Sequence, residues 1–192
     1  MFHRKIQKFC EVALRDGFDL CWLDFCCIDK SSSTELAEAI NVMYTWYRYS
    51  TICYAYLGRD IRGYHPERIK ECQWFKRGWT LQELIAPNIV LFLDEDWEVI
   101  GSKHSLAPLI EEITSIHRDI LTFERLPPQF SVAERMMWAS ERETTREEDG
   151  AYCLMGLFQV NITIAYGEGS NAFIRLQEEI LRQSSDQTLF AW

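Results

Sequence analysis

Phe18-Asp-Leu-Cys-Trp-Leu-Asp-Phe-Cys-Cys-Ile28 is a nearly continuous apolar run. Its length and aromatic content predict a strand covered on both faces, as in a parallel sheet. The segments on either side fit the same plan. Phe2 to Arg15 places Ile6, Phe9, Val12 and Ala13 at helical spacing and stops at Asp16-Gly17, where glycine relieves a left-handed cap. After the run, Ser31-Ser-Ser-Thr34 with Glu35 three residues past Ser32 has the form of a capping box. The helix it opens carries Leu36, Ile40, Met43, Trp46 and Tyr47 on one side and extends to about Tyr49.

Thr51 to Leu57 is β-branched and aromatic and ends at Gly58, so it reads as a second strand. Arg59 to Glu71, polar and containing Gly63 and Pro66, reads as a loop. Gly78 to Ala86 is a short helix closed by Pro87, and Asn88 to Leu93 a third strand. Strand, helix, strand, helix, strand is the order of an α/β layer fold with parallel strands.

The second half reads differently. Ser105 to Ile116 is amphipathic, with Pro108 tolerated in its first turn. Pro127-Pro128 breaks the chain, and Ser131 with Glu134 caps another helix. Glu147 to Phe158 and Asn171 to Gln183 are helical stretches separated by Tyr166-Gly-Glu-Gly169. The chain therefore divides into an α/β part over 1–100 and a mainly helical part over 101–192.

Composition limits the function classes. With 29 Asp+Glu against 20 Lys+Arg and no basic stripe, nucleic acid is not the expected partner. No apolar run approaches the roughly 20 residues that span a bilayer, and the first ten residues lack an apolar signal core. A cytoplasmic protein is the expectation. The seven cysteines include no pair at two-residue spacing. Cys21, Cys26, Cys27, Cys53 and Cys153 lie in apolar surroundings and read as reduced, buried thiols. The four histidines are scattered, so no metal is expected.

Several stretches have two readings. Trp79 and Glu83 are four apart on one short helix and share a face. A tryptophan at that spacing is ordinarily core and a helix glutamate ordinarily solvated, and Arg77 and Glu83 read equally well as members of structural ion pairs. Asp29 lies just past the carboxyl end of the expected first strand, the rim where open α/β sheets bind ligands, but a turn residue leading into Ser31 is the simpler reading. Asp24, mid-strand in an apolar run, needs a partner if buried, and Arg77 is such a group. Tyr166-Gly-Glu-Gly169 has the glycines of a phosphate loop but no following lysine, so a turn capping the next helix is favoured. The mixed-charge run from Arg142 to Asp149 reads as a solvated helix face or an internal salt network.

Trp22-Leu-Asp-Phe-Cys-Cys-Ile-Asp-Lys30 and Arg77-Gly-Trp-Thr-Leu-Gln-Glu83 resemble the second and third blocks of the fungal heterokaryon-incompatibility (HET) domain. Arg142-Glu-Thr-Thr-Arg146, Ala151-Tyr-Cys-Leu-Met-Gly156, Tyr166-Gly-Glu-Gly169 and Phe173 to Glu179 resemble the stretch downstream of those blocks in incompatibility proteins. The family usually opens with a strand of the type Tyr-Ala-Leu-Ser-His-Thr-Trp-Gly, which this chain does not contain, so relative to the family it reads as truncated at its amino end. The resemblance implies a flavodoxin-like, mostly parallel sheet akin to the Toll/interleukin-receptor (TIR) domain. It also implies an immune-type module that triggers programmed cell death on fusion of unlike fungal cells, through self-association and protein contacts. Trp79-Thr-Leu-Gln-Glu-Leu84 is similar to the Trp-Cys-x-x-Glu-Leu stretch of plant TIR domains, some of which cleave NAD. That likeness implies Glu83 as an essential catalytic carboxylate, with Trp79, Arg77 and Asp29 binding substrate. NAD would enter as substrate, with no resident cofactor. The module acting through self-association and protein contacts is the main reading; an NAD glycohydrolase with Glu83 as its carboxylate and an inactive relic are the alternatives.

Overall fold

The computed structural model describes residues 2–58 and 61–191. The first helix, α1, spans Phe2–Arg15 and buries Val12 and Ala13; Gly17 comes next at φ +86°, the left-handed conformation expected of it. The apolar run then departs from expectation. Residues 18–23 have no regular secondary structure, and Asp24–Cys27 form a single helical turn, α2. No strand pairs with this segment among the described residues. With no ladder to satisfy its backbone, an apolar run cannot become a strand whatever its propensity. It is only partly covered, and its anchor is aromatic: Trp22 packs edge-on against Trp46 and Tyr47, with centroids 5.2 and 5.7 Å apart.

α3, Ser33–Tyr49, begins at Ser32, whose hydroxyl accepts from the Glu35 amide at 3.2 Å. The reciprocal half of the capping box is redirected, because the Glu35 carboxylate accepts from the Asp29 amide at 2.8 Å. α3 buries Ala39, Ile40 and Met43. β1, Cys53–Tyr56, pairs in parallel with β2, Val90–Leu93, in the register Cys53 to Val90. The connection carries two helices, α4 (Pro66–Lys70) and α5 (Thr80–Ile85). α4 lies within the stretch expected to be a loop; Arg59 and Asp60, where that loop was to begin, lie outside the described residues. β3, Val99–Ser102, which the sequence pattern did not announce, pairs antiparallel with β2. The sheet of the described residues has the order β1-β2-β3 and is mixed, not mostly parallel.

The remaining helices are α6 (Ala107–Thr114), α7 (Arg118–Leu121), α8 (Val132–Met137), α9 (Asp149–Tyr152), α10 (Met155–Phe158) and α11 (Asn171–Gln183). α6 has Pro108 in its first turn. α8 has the full capping box: the Ser131 hydroxyl accepts from the Glu134 amide, and the Glu134 carboxylate accepts from the Ser131 amide at 2.8 Å. The main core runs from Phe92 of β2, against the Trp74 and Phe75 rings, through Leu81 and Leu84 of α5 to Val132, Leu176 and Ile180 of the later helices. Both halves of the chain thus contribute to one apolar cluster. No helix of the described residues is long and apolar enough to cross a membrane.

Candidate functional site

Glu83 projects from α5 into the wall of an open cavity of about 770 Å³. The cavity runs along β1 from the turn before it, between that strand and the irregular segment 18–24, and α1 contributes Phe9 and Ala13 to its side. It therefore does not lie past the carboxyl end of a strand, the rim expected to take ligand. Aromatic side chains are prominent in its lining, among them Phe18, Trp22, Trp46, Tyr47 and Tyr54, and its acids are Glu83 and Asp24.

Two effects act on the half-buried Glu83 carboxyl. Burial, reinforced by the negative charge of Asp24, pushes its pKa up to about 7. The positive charges of Arg77 and Arg142 and a hydrogen bond from the Trp74 indole pull the other way and do not prevail. Near neutral pH the group is thus poised between acid and base. Tyr47 also hydrogen-bonds to Glu83, and burial together with that carboxylate raises its phenol well above the ordinary range. Asp24, half exposed, pairs with Lys30 at 3.7 Å, so the pairing with Arg77 expected from the sequence is replaced by a near neighbour in the chain.

A guanidinium secures the start of α5. Arg142 donates from Nη1 to the Arg77 carbonyl at 2.9 Å and to Thr80 Oγ1 at 3.1 Å, and from Nε to the Trp138 carbonyl at 3.2 Å. Thr80 Oγ1 also donates to the Arg77 carbonyl at 2.8 Å. These bonds satisfy backbone groups around the helix entry and fix the angle at which Glu83 leaves it. Burial lowers the Arg142 pKa to about 10. The charged run beginning at Arg142 is therefore not simply a solvated face; its first member points inward.

The other expected site residues lie elsewhere. Trp79, at the entry to α5, is half-buried and packs against both apolar clusters without lining the cavity. The Arg77 side chain is exposed; its backbone pairs with Glu143, and its charge reaches Glu83. Asp29 forms a turn, its Oδ1 accepting from the Ser31 amide at 2.9 Å and the Ser31 hydroxyl at 2.6 Å, and these bonds lower its pKa. The sequence reading missed the cavity's aromatic wall and the charge of Asp24 on Glu83. The shared apolar face of α3, which carries Trp46 and Tyr47, was the available signal.

The glycine loop is occupied by the chain itself. The Glu148 carboxylate accepts from the Gly167 amide at 2.7 Å and the Gly169 amide at 3.1 Å, leaving those donors unavailable to a phosphate. The thiols also differ from expectation. Cys53, Cys72 and Cys153 are buried, whereas Cys21, Cys26 and Cys27 are exposed, because the segment that holds the latter three is not an interior strand. No group of histidine, cysteine or carboxylate side chains among the described residues could hold a metal.

Residues 1–67 match the family described as heterokaryon incompatibility protein (HET), and residues 171–192 match a family described as a domain of unknown function (DUF8212). The chain is similar to the vegetative incompatibility protein HET-E-1 of Podospora anserina, with 46% identity over 187 residues. That alignment covers 93% of this chain and 14% of the relative, so the chain spans a small part of that protein's length. No solved structure matches, and a TIR-like fold has no structural neighbour to rest on. The family match thus covers the amino-terminal third, and the likeness to HET-E-1 continues along nearly the whole chain.

Proposed function

We propose that this chain acts in fungal vegetative incompatibility, the process for which HET-E-1 is named, as its effector module, and that the Glu83 cavity is where it acts on NAD. The single observation that carries the site is the placement of the Glu83 carboxyl in the wall of a large aromatic cleft. Hydrolysis of the nicotinamide–ribose bond converts NAD and water to ADP-ribose, nicotinamide and a proton. Positive charge develops on the ribose as the bond lengthens, and an ionised carboxylate held near the ring stabilises it. The leaving nicotinamide is neutral, so no acid is required to expel it. The aromatic wall offers faces for stacking a base or pyridinium ring. Arg77 does not line the cleft, but its charge acts on Glu83, and it is the cation that would meet a phosphate there.

Incubating the purified protein with NAD and measuring released nicotinamide tests this reading, with Glu83→Ala as the comparison. Release by the parent and none by the variant is the expected result. A parent chain that is toxic when expressed in fungal cells but leaves NAD intact would sink it.

A second reading is a module acting through self-association and protein contacts without catalysis. It is favoured by the apolar side chains at the cleft's rim, Leu20 at 91% exposure and Tyr49 at 78%. Toxicity that survives Glu83→Ala but is lost in Leu20→Asp, with a matching loss of oligomer in solution, would establish it over the first.

A further inference from the structure

Two thiols face each other across the cavity's flank. Cys10 Sγ, on α1, lies 3.7 Å from Cys21 Sγ in the irregular segment that replaces the expected strand. Cys21 lines the cavity, and the residues of α1 that flank Cys10, Phe9 and Ala13, line it too. Cys21 is exposed and Cys10 half-buried, so a small oxidant reaches the pair. A disulfide requires a separation of about 2.05 Å, so the two sulfurs, at 3.7 Å, must move toward each other to bond.

The geometry points to Cys10 and Cys21 as a reversible redox latch that, when oxidised, ties α1 to the segment 18–23 and fixes one wall of the Glu83 cavity. The oxidant is a peroxide. One thiol takes an oxygen atom, giving a sulfenic acid and releasing water from hydrogen peroxide. The second thiol then displaces that oxygen as a second water, and the S–S bond forms. Two electrons leave the two sulfurs and reduce one peroxide. Burial and the hydrogen bond to Cys10 push the Cys21 thiol up to about 11, so Cys21 is not the thiol that peroxide oxidises first. The closed loop is short and the bond lies at the surface, features of a labile, regulatory disulfide.

The latch's effect on ligand entry rests on the cavity being the site proposed above; formation of the bond does not. Treating the full chain with hydrogen peroxide should lower its mass by about 2 Da and remove two of its seven titratable thiols. Peptide mapping should join the Cys10 and Cys21 peptides. Tryptic cleavage after Arg15, inside the closed loop, should slow several-fold and recover on reduction. Cys10→Ser and Cys21→Ser should each abolish all of this, and the Cys26→Ser/Cys27→Ser double variant should abolish none of it. An unchanged mass at peroxide doses that oxidise free cysteine, linkage of Cys26 to Cys27, or linkage between chains would each overturn the latch. A Cys10–Cys21 bond in a protein that leaves NAD intact would retain the latch and remove the NAD reading.

Discussion

Glu148 holds Gly167. The carboxylate, at the entry to α9, accepts the Gly167 amide at 2.7 Å, and Gly167 sits at φ +104°, a conformation that suits glycine because it has no Cβ. Glu168, in the same loop, accepts from the Tyr152 hydroxyl at 2.8 Å and from Arg175 Nε at 2.9 Å. The loop before α11 is thus clamped from α9 on one side and from α11 on the other. Glu148→Ala should lower the melting temperature by several degrees. Because the bonded amides depress the Glu148 pKa, its contribution is present above the ordinary carboxylate range and is lost as pH falls through the depressed folded value. Melting curves of parent and variant should therefore converge in acid.

Glu83 behaves oppositely. Its folded pKa of about 7 exceeds the usual carboxylate value, so between pH 4.5 and 7 the folded state binds more protons than the unfolded and stability falls as pH rises. Glu83→Gln removes the buried charge. It should be more stable than the parent by about 2 kcal/mol at pH 8, with the gain gone at pH 4. Denaturant titrations at the two pH values measure the difference. The same titration sets activity: nicotinamide release should rise with pH through about 7 as the carboxylate ionises.

Lys103 is 1% exposed, its ammonium donating to the Leu84 carbonyl at 3.2 Å and to the Pro87 carbonyl, with the Phe123 ring 4.2 Å away. Burial lowers its pKa to about 7. Between pH 7 and the ordinary lysine value the unfolded chain binds the extra proton, so this group makes stability rise with pH across that window. Lys103→Met should flatten the rise. It should also cost about 1–3 kcal/mol at pH 9 by leaving two carbonyls without their donor, which chemical denaturation at pH 7 and 9 would read.

Gly156 lies under Tyr44. A Cβ at that position would come within 2.1 Å of the Tyr44 Cβ, so α10 and α3 approach closely only because this residue has no side chain. Gly156→Ala should destabilise by about 3 kcal/mol through overpacking, with α3 displaced and the Trp46 and Tyr47 wall of the cavity disturbed. Tryptophan fluorescence and the unfolding midpoint should shift together.

Arg142→Met removes two hydrogen bonds at the entry to α5 and one to the end of α8, and should cost about 2–4 kcal/mol. If the protein hydrolyses NAD, the variant should lose activity beyond its loss of folded fraction, because Glu83 is no longer held at its angle. Activity normalised to folded protein separates the two effects.

The local elements were written in the chain. Ser32 and Ser131 open helices because a hydroxyl three residues before a free amide satisfies it without help from elsewhere. Gly17 ends α1 for a reason contained within a few residues of it, and the strand composition of Cys53–Tyr56 and Val90–Leu93 is local, although the two became strands by pairing with each other. Glu83 is singled out only by the likeness of its stretch to another family's motif, since its own helix reads as well with a solvated glutamate. Tertiary structure decided the rest. The run 18–28 has a strand's composition, but a strand exists only with a neighbour to bond its backbone, and no local pattern supplies one. Where that neighbour is lacking, the same residues became the flank of a cleft, exposed Cys21 beside Cys10, and brought Asp24 close enough to raise the pKa of Glu83. Burial and charge depend on what the chain places opposite a residue, and that partner can stand far away in sequence.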